Sequence, residues 1–264
     1  MARSIWNGSI SFGLVFIPIK VYTATVDKEI GFNSLDEKGH PIQYKKWCPT
    51  ENREVKWEEL KKGYKLTKDQ YVVIEKGDIE KLRLKTTKAI EIQEFTDSHL
   101  IDPIYVQKSY YVVPEEVGLK AYSLFVEALR LSGKVAIGKV VMRDKEYLVA
   151  VRAFKKGLVM HTLHYTGEIK PIEELNEIKN LLTVKEEELK LAELLIHRLT
   201  QSEFDIGKFH DAYTEELKRL IRAKAEGKEI IVKSATETEQ AKGLMEALKA
   251  SVEITDKKKK KVTA

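Results

Sequence analysis

Apolar positions in the first two-thirds of the chain recur with the two-residue period of strands. Residues 9–22 alternate or run apolar, with Gly13 and Pro18 placed as kinks or bulges in one extended run. Short strand candidates follow at 70–74, 89–95, 104–106 and 109–113. Three more, at 135–142, 147–154 and 158–165, come in close succession. Asp144-Lys145 and Lys156-Gly157 separate them as turn residues. Many short strands at this spacing predict an antiparallel barrel or sandwich. One helix interrupts them. Residues 119–131 put Tyr122, Phe125, Val126 and Leu129 on one face, and Ser132-Gly133 ends the helix.

After Pro171 the period becomes helical. Thr183-Val184-Lys185-Glu186 reads as a capping box, and Leu189, Ala192, Leu195, Ile196 and Leu199 follow at helical spacing. A second helix carries Phe209, Tyr213, Leu217, Leu220 and Ile221. A linker at 228–234 leads to another capping box, Thr236-Glu237-Thr238-Glu239. The last helix carries Leu244, Met245, Leu248 and Val252, and a lysine tail follows. Residues 31–62 fit neither period. Gly39, Pro41, Pro49 and scattered charges mark an excursion from the core, and long excursions in compact domains are functional or disordered. The fold class predicted is mixed β and α: an antiparallel β-barrel core with a long handle excursion, then a helical C-terminal arm. Its parts are 1–175 with the handle at about 31–62, the arm at 176–228, and a linker, short amphipathic helix and lysine tail at 229–264. No internal repeat is visible.

Composition narrows the classes. At 264 residues, 43% hydrophobic, the chain can bury a core, and disorder throughout is excluded. Its 33% charged residues exceed the roughly 25% of an average soluble domain. No stretch approaches the ~18 apolar residues of a membrane span. The first residues lack the pattern of a secretory leader. The single cysteine, Cys48, cannot pair internally, which points to the cytoplasm.

The 46 basic residues exceed the 41 acidic ones by five, and five of the basic residues are Lys257, Lys258, Lys259, Lys260 and Lys261. Residues 1–256 are therefore neutral in sum but uneven. Between 119 and 160 nine basic residues face three acidic ones; between 89 and 118 one faces six. Such segregation reads either as ordinary solvated faces or as one basic and one acidic surface.

Catalytic patterns are missing. There is no phosphate loop, nucleophile elbow or dinucleotide fingerprint. His161 and His164 sit three apart in a predicted strand, which points their rings to opposite faces, as for surface or satisfied core histidines. Cys48 has no second cysteine nearby, so no zinc site is expected. Glu186-Glu187-Glu188 reads as a helix N-terminal charge cluster. No cofactor and no metal are expected.

The opening Ser4-Ile5-Trp6-Asn7-Gly8-Ser9-Ile10-Ser11-Phe12-Gly13-Leu14-Val15-Phe16-Ile17-Pro18-Ile19-Lys20 resembles that of the prokaryotic Ku proteins. Lys62-Gly63-Tyr64, Ile101-Asp102-Pro103-Ile104-Tyr105, Lys120-Ala121-Tyr122 and Ser132-Gly133-Lys134-Val135-Ala136-Ile137-Gly138 match further blocks in the same order. So do 209–228 and 244–252. The resemblance implies a homodimeric ring of two β-barrels and two handles around the ends of double-stranded DNA. A helical arm would lock the dimer, and an ATP-dependent DNA ligase of non-homologous end joining would be recruited. A protein that holds any broken end must use phosphate and sugar contacts, which carry no sequence information.

On this resemblance the handle's DNA contacts are expected at Lys38, Gln43, Lys45, Lys46, Arg53 and Lys56. Those of the cradle are expected at Lys20, Lys65, Arg130, Lys134 and Lys139, with the tail lysines adding sequence-neutral attraction. Trp47, Leu189, Leu195, Ile196, Leu199, Phe209, Tyr213, Leu217 and Leu220 are expected at the dimer interface, and Leu244, Met245 and Leu248 at the ligase. Cys48 departs from relatives with two handle cysteines, which argues against a metal-stapled handle. Two other classes stay open: an abasic-site lyase using a lysine Schiff base, which needs a lysine of depressed pKa, and a barrel that binds single-stranded nucleic acid through exposed aromatics.

Overall fold

The computed structural model describes residues 3–68, 70–75, 77–78, 88–143, 145–227 and 244–262; the side chains of Leu244 and of residues 255–262 lie outside the described set. The chain divides into two compact units, Met1–Pro171 and Ile172–Ala264. The first unit holds, in chain order, β1 (Trp6–Phe12), β2 (Val15–Thr23), β3 (Trp47–Cys48), β4 (Arg53–Glu54), β5 (Lys62–Lys65), β6 (Tyr71–Ile74), β7 (Ala89–Asp97), β8 (Val106–Pro114), helix α1 (Leu119–Ser132), β9 (Lys134–Met142), β10 (Lys145–Phe154) and β11 (Gly157–Leu163).

Seven of these strands close a barrel in the order β1-β2-β8-β11-β10-β9-β7. Seven strands cannot all alternate direction around a ring, so one neighbouring pair must run parallel. That pair is β1 and β7, with Ser9, Ile10 and Ser11 opposite Ala89, Ile90 and Glu91. Every other pairing in the barrel is antiparallel. The apolar run at 9–22 is two strands rather than one kinked strand. Phe12 pairs with Val15, and Gly13, at φ 58°, takes the first position of the two-residue turn between them, where the left-handed region favours glycine. The β10–β11 turn is Lys155-Lys156, one residue earlier than the sequence suggests, since Phe154 pairs with Gly157.

Inward residues fill the barrel. Ile10, Ile17, Ile19, Val21, Ile90, Val112, Val149, Val151 and Met160 are fully buried. Each large one contributes about 1.5–3 kcal/mol of burial. The α1 residues Tyr122, Phe125, Val126 and Leu129 join the same cluster, as their spacing predicts. Helix α1 ends at Gly133, φ 65°, the left-handed cap expected of a glycine there. Val135, Ala150 and Leu163 form a second cluster with Ile101, Tyr105, Ile137 and Leu148. Parts of β9 and β10 are thus buried on both faces, which is why their apolar runs break strict alternation. Gly138 lets β7 approach: a Cβ there would lie 2.4 Å from the Glu91 carbonyl oxygen.

Between Thr23 and Ala89 the described residues contribute no barrel strand. The excursion is longer than the sequence pattern marks, because 70–74, read as a core strand, forms β6 and pairs with β5 outside the barrel. None of its described residues is buried.

The second unit holds α2 (Asn176–Lys179), α3 (Glu186–Leu199), α4 (Ala212–Ala225) and α5 (Leu244–Val262). Helix α3 is capped two residues later than Thr183: the Glu188 carboxylate accepts from the Lys185 N–H at 3.3 Å. Three glutamates in its first turn suit the helix dipole. Asp211 caps α4 by accepting from the Thr214 N–H at 2.9 Å. Helix α5 packs alongside α3 and continues through residues 257–261, so the lysine run is helical rather than a tail. Lysine is a good helix former and a cation suits a helix C-terminus. The linker at 228–234 and the capping box at 236–239 lie outside the described residues. No described residue of the second unit is buried.

Candidate nucleic-acid interface

The described residues of the excursion 24–88 form turns, a short 3-10 helix at Trp57–Glu59 and two small hairpins. Asp36 holds one turn by accepting from the backbone N–H groups of Lys38, at 2.9 Å, and His40, at 2.8 Å. Its carboxyl sits below the usual range, chiefly through the His40 backbone bond. In the hairpin β3–β4, Asn52 takes a left-handed φ of 50° in the connecting turn, a region that asparagine tolerates better than most residues. Across this hairpin Lys45 donates to Glu54 at 2.8 Å, and the bond raises its pKa. Arg53 binds Glu51 and Glu59 and depresses the Glu59 carboxyl. Lys46 lies 3.3 Å from the centre of the Trp57 ring. Exposed ion pairs contribute ~0–1 kcal/mol each, so this network shapes the excursion without giving it a core.

The expected handle contacts are therefore exposed and grouped, but not equally available. Lys45 and Arg53 are neutralised locally by carboxylates. Lys46 keeps its charge, because an aromatic face attracts a cation without cancelling it. Lys38, Gln43 and Lys56 are exposed. Lys65 sits on the other hairpin, 5.9 Å from the Tyr71 ring. Trp47 is exposed, as are Tyr44 at 85% and Trp57 at 77%.

Of the expected cradle residues, Lys65 lies on the β5–β6 hairpin outside the barrel, and the others are spread over the barrel strands and α1. Lys20 is half-buried on β2. Lys139 is paired with Glu146 at 3.0 Å, which raises its pKa. Lys134 donates to Asp97 at 2.9 Å, and the bond lowers the Asp97 carboxyl. Arg130 binds Glu127 and the Lys155 carbonyl. Arg130 and Lys134 meet at one pocket, and two cations that the sequence reasoning missed, Arg152 and Lys155, join them there. The signal was present in Arg152-Ala153-Phe154-Lys155-Lys156, a run of cations around an aromatic. His161 is satisfied: Arg152 Nε donates to its Nε2 at 3.1 Å, so Nδ1 carries the proton given to Ser109 Oγ at 2.8 Å. Burial holds its pKa down, with the Arg152 charge adding to the effect.

In the helical unit the expected interface residues are open. Ile196, Leu189 and Leu199 are exposed, as are Phe209 at 72% and Tyr213 at 77%. Leu195, Leu217 and Leu220 are half-buried, and so are Met245 and Leu248 on α5. The Leu244 side chain and those of residues 257–261 lie outside the described set.

Residues 11–191, a span that includes the whole excursion, match the family model described as the Ku70/Ku80 beta-barrel domain. The chain belongs to the Ku family. The Non-homologous end joining protein Ku of Heliobacterium modesticaldum is 41% identical over 266 residues, covering 100% of this chain and 96% of its own. Its counterpart in Archaeoglobus fulgidus is 43% identical over 252 residues, covering 95% and 98%. That of Bacillus subtilis is 38% identical over 257 residues, covering 96% of this chain and 82% of its own. For a Ku chain the chemistry of these lysines matters. Lys45 and Lys139 both move to higher pKa, opposite to what a Schiff-base nucleophile needs. Among the described residues no three histidine, cysteine, aspartate or glutamate side chains are grouped to hold a metal ion. No described helix is long and apolar enough to cross a membrane.

Proposed function

We propose that two copies of this chain close a ring that threads onto the ends of double-stranded DNA, grips the sugar-phosphate backbone without reading bases, and recruits an ATP-dependent ligase for end joining. The observation that carries this reading is the excursion 24–88. It leaves a tightly packed barrel with no described residue buried, yet bears Tyr44, Trp47 and Trp57 beside Lys45, Lys46 and Arg53. Such a segment needs a partner on one side and suits a polyanion on the other. The relatives' shared name places them in end joining, which supports DNA ends as the ligand. The exposed apolar residues of α3 and of the segment before α4 are the proposed dimer lock. Leu244, Met245 and Leu248, on the helix α5 that packs alongside α3, are the proposed ligase contact.

Sedimentation equilibrium of the full chain, alone and with short linear duplex, tests the assembly. The expected mass is twice that of the chain, and it gains one duplex on binding. A protein that stays monomeric in both conditions contradicts the ring.

A further inference from the structure

At the C-terminal end of α1 a pocket of about 280 Å³ is lined by Ser98, the Gly133 turn and four cations: Arg130, Lys134, Arg152 and Lys155. No carboxylate lines it. Two carboxylates, Glu127 and Asp97, bind Arg130 and Lys134. Arg152 and Lys155 are held differently. Arg152 donates Nε to neutral His161 and lies 5.5 Å from the Phe154 ring centre, while Lys155 Nζ lies 5.6 Å from the same ring. Phe154 in turn stacks on Tyr111. An imidazole and an aromatic face position these charges without neutralising them, so the pocket keeps a net charge near +2.

The pocket is also a costly piece of backbone. Lys155 has φ 50°, a left-handed conformation that costs an L-residue about 1–2 kcal/mol and that glycine takes freely. Arg130 fastens the strained turn by donating to the Lys155 carbonyl. A cation therefore stands at a position whose backbone conformation favours glycine, beside three others. The carbonyl end of α1 explains Arg130 and Lys134 as partners of the helix dipole. It does not explain Arg152 and Lys155, which are carried by strand β10 and the turn after it.

We propose that this pocket is a phosphate site, in which Arg152 and Lys155 bind the anion and Arg130 and Lys134 frame it. The shared ligand chemistry is a phosphate mono- or diester or a free polyphosphate. The DNA source of that phosphate rests on the ring reading above; the site itself does not.

The test is calorimetric titration of the full chain with pyrophosphate, for wild type, Lys155→Gln, and the pair Arg152→Gln/Lys155→Gln. Lys155→Gln leaves every described hydrogen bond of the turn in place, so it reports on charge even where the double variant folds poorly. Wild-type binding that weakens several-fold in Lys155→Gln and tenfold or more in the double variant is expected. A wild type that ignores millimolar pyrophosphate, or variants that bind it equally well, overturns the site. Linear duplex titrated across a salt series then assigns the source. A three- to tenfold loss in the double variant with a salt slope shallower by 1–2 identifies the DNA backbone. Unchanged duplex binding with pyrophosphate binding lost identifies a free polyphosphate. A wild type that binds pyrophosphate but never linear duplex sinks the ring reading alone.

Discussion

Tyr122 ties three elements together. Its hydroxyl donates to the Val112 carbonyl at 2.6 Å and accepts from the Leu158 N–H at 2.9 Å, linking α1 to β8 and β11. Tyr122→Phe keeps the ring and strands both backbone groups, so a loss of about 1–3 kcal/mol is expected. A urea midpoint that falls at unchanged slope checks it; an unmoved midpoint contradicts it. His161 gives a pH signature. Its folded pKa lies below the ordinary value, so the unfolded chain takes up the proton first. Stability is complete above about pH 6.5 and is lost as pH falls through that value towards the lowered folded one. The depressed carboxyls of Asp36, Asp97 and Glu146 act in a lower window, below the ordinary carboxylate pKa of about 4. Thermal melts between pH 7.5 and 5 are expected to fall for wild type and to flatten in His161→Gln; parallel curves contradict the assignment. The buried face of Tyr122 is legible in the spacing of α1. The partners of its hydroxyl are not, because one lies 36 residues on, and no local pattern encodes a contact at that range. The run Arg152 to Lys156 is legible locally, but its meeting with Arg130 and Lys134 at one pocket is not, because those residues lie on other elements.

At the scale of elements, the strands of the barrel, the α1 helix and the change to helices after Pro171 are all visible in hydrophobic period. What hides is punctuation that works through backbone geometry. Gly13 reads as a kink because the residues on both sides are apolar; only the pairing of Phe12 with Val15 makes it a hairpin. The strand-like pattern of 71–74 is real, but pattern alone does not say which sheet a strand joins, and β6 joins the excursion. The lysine run extends α5 because nothing in it breaks a helix. The excursion carries a prediction. On the proposed reading Lys45 exchanges Glu54 for phosphate and Lys46 leaves or shares Trp57, so their contribution to binding is a difference between partners. Lys45→Ala/Lys46→Ala is expected to weaken linear duplex about three- to tenfold, equally for all sequences, with a salt slope shallower by 1–2. Filter binding at several salt concentrations measures both. An unchanged slope removes the hairpin from the interface.

For the whole molecule, a neutral body with its charges sorted by segment suits the proposed ring, which would hold DNA while sliding along it. The 46 basic and 41 acidic residues nearly cancel. Part of the positive charge is already engaged by neighbouring carboxylates, as at Lys45, Arg53, Lys134 and Lys139. On the proposed ring reading, retention comes from topology rather than from charge alone: a closed ring departs only over an end. The decisive measurement is binding of the full chain to one duplex sequence in two forms, linear and covalently closed circular, followed through a salt challenge. The account predicts that complexes on linear DNA form readily and are lost over free ends, that blocking those ends after loading retains them through high salt, and that closed circles never acquire such salt-resistant protein. Equal, salt-resistant loading on closed circles and linear duplex would contradict it.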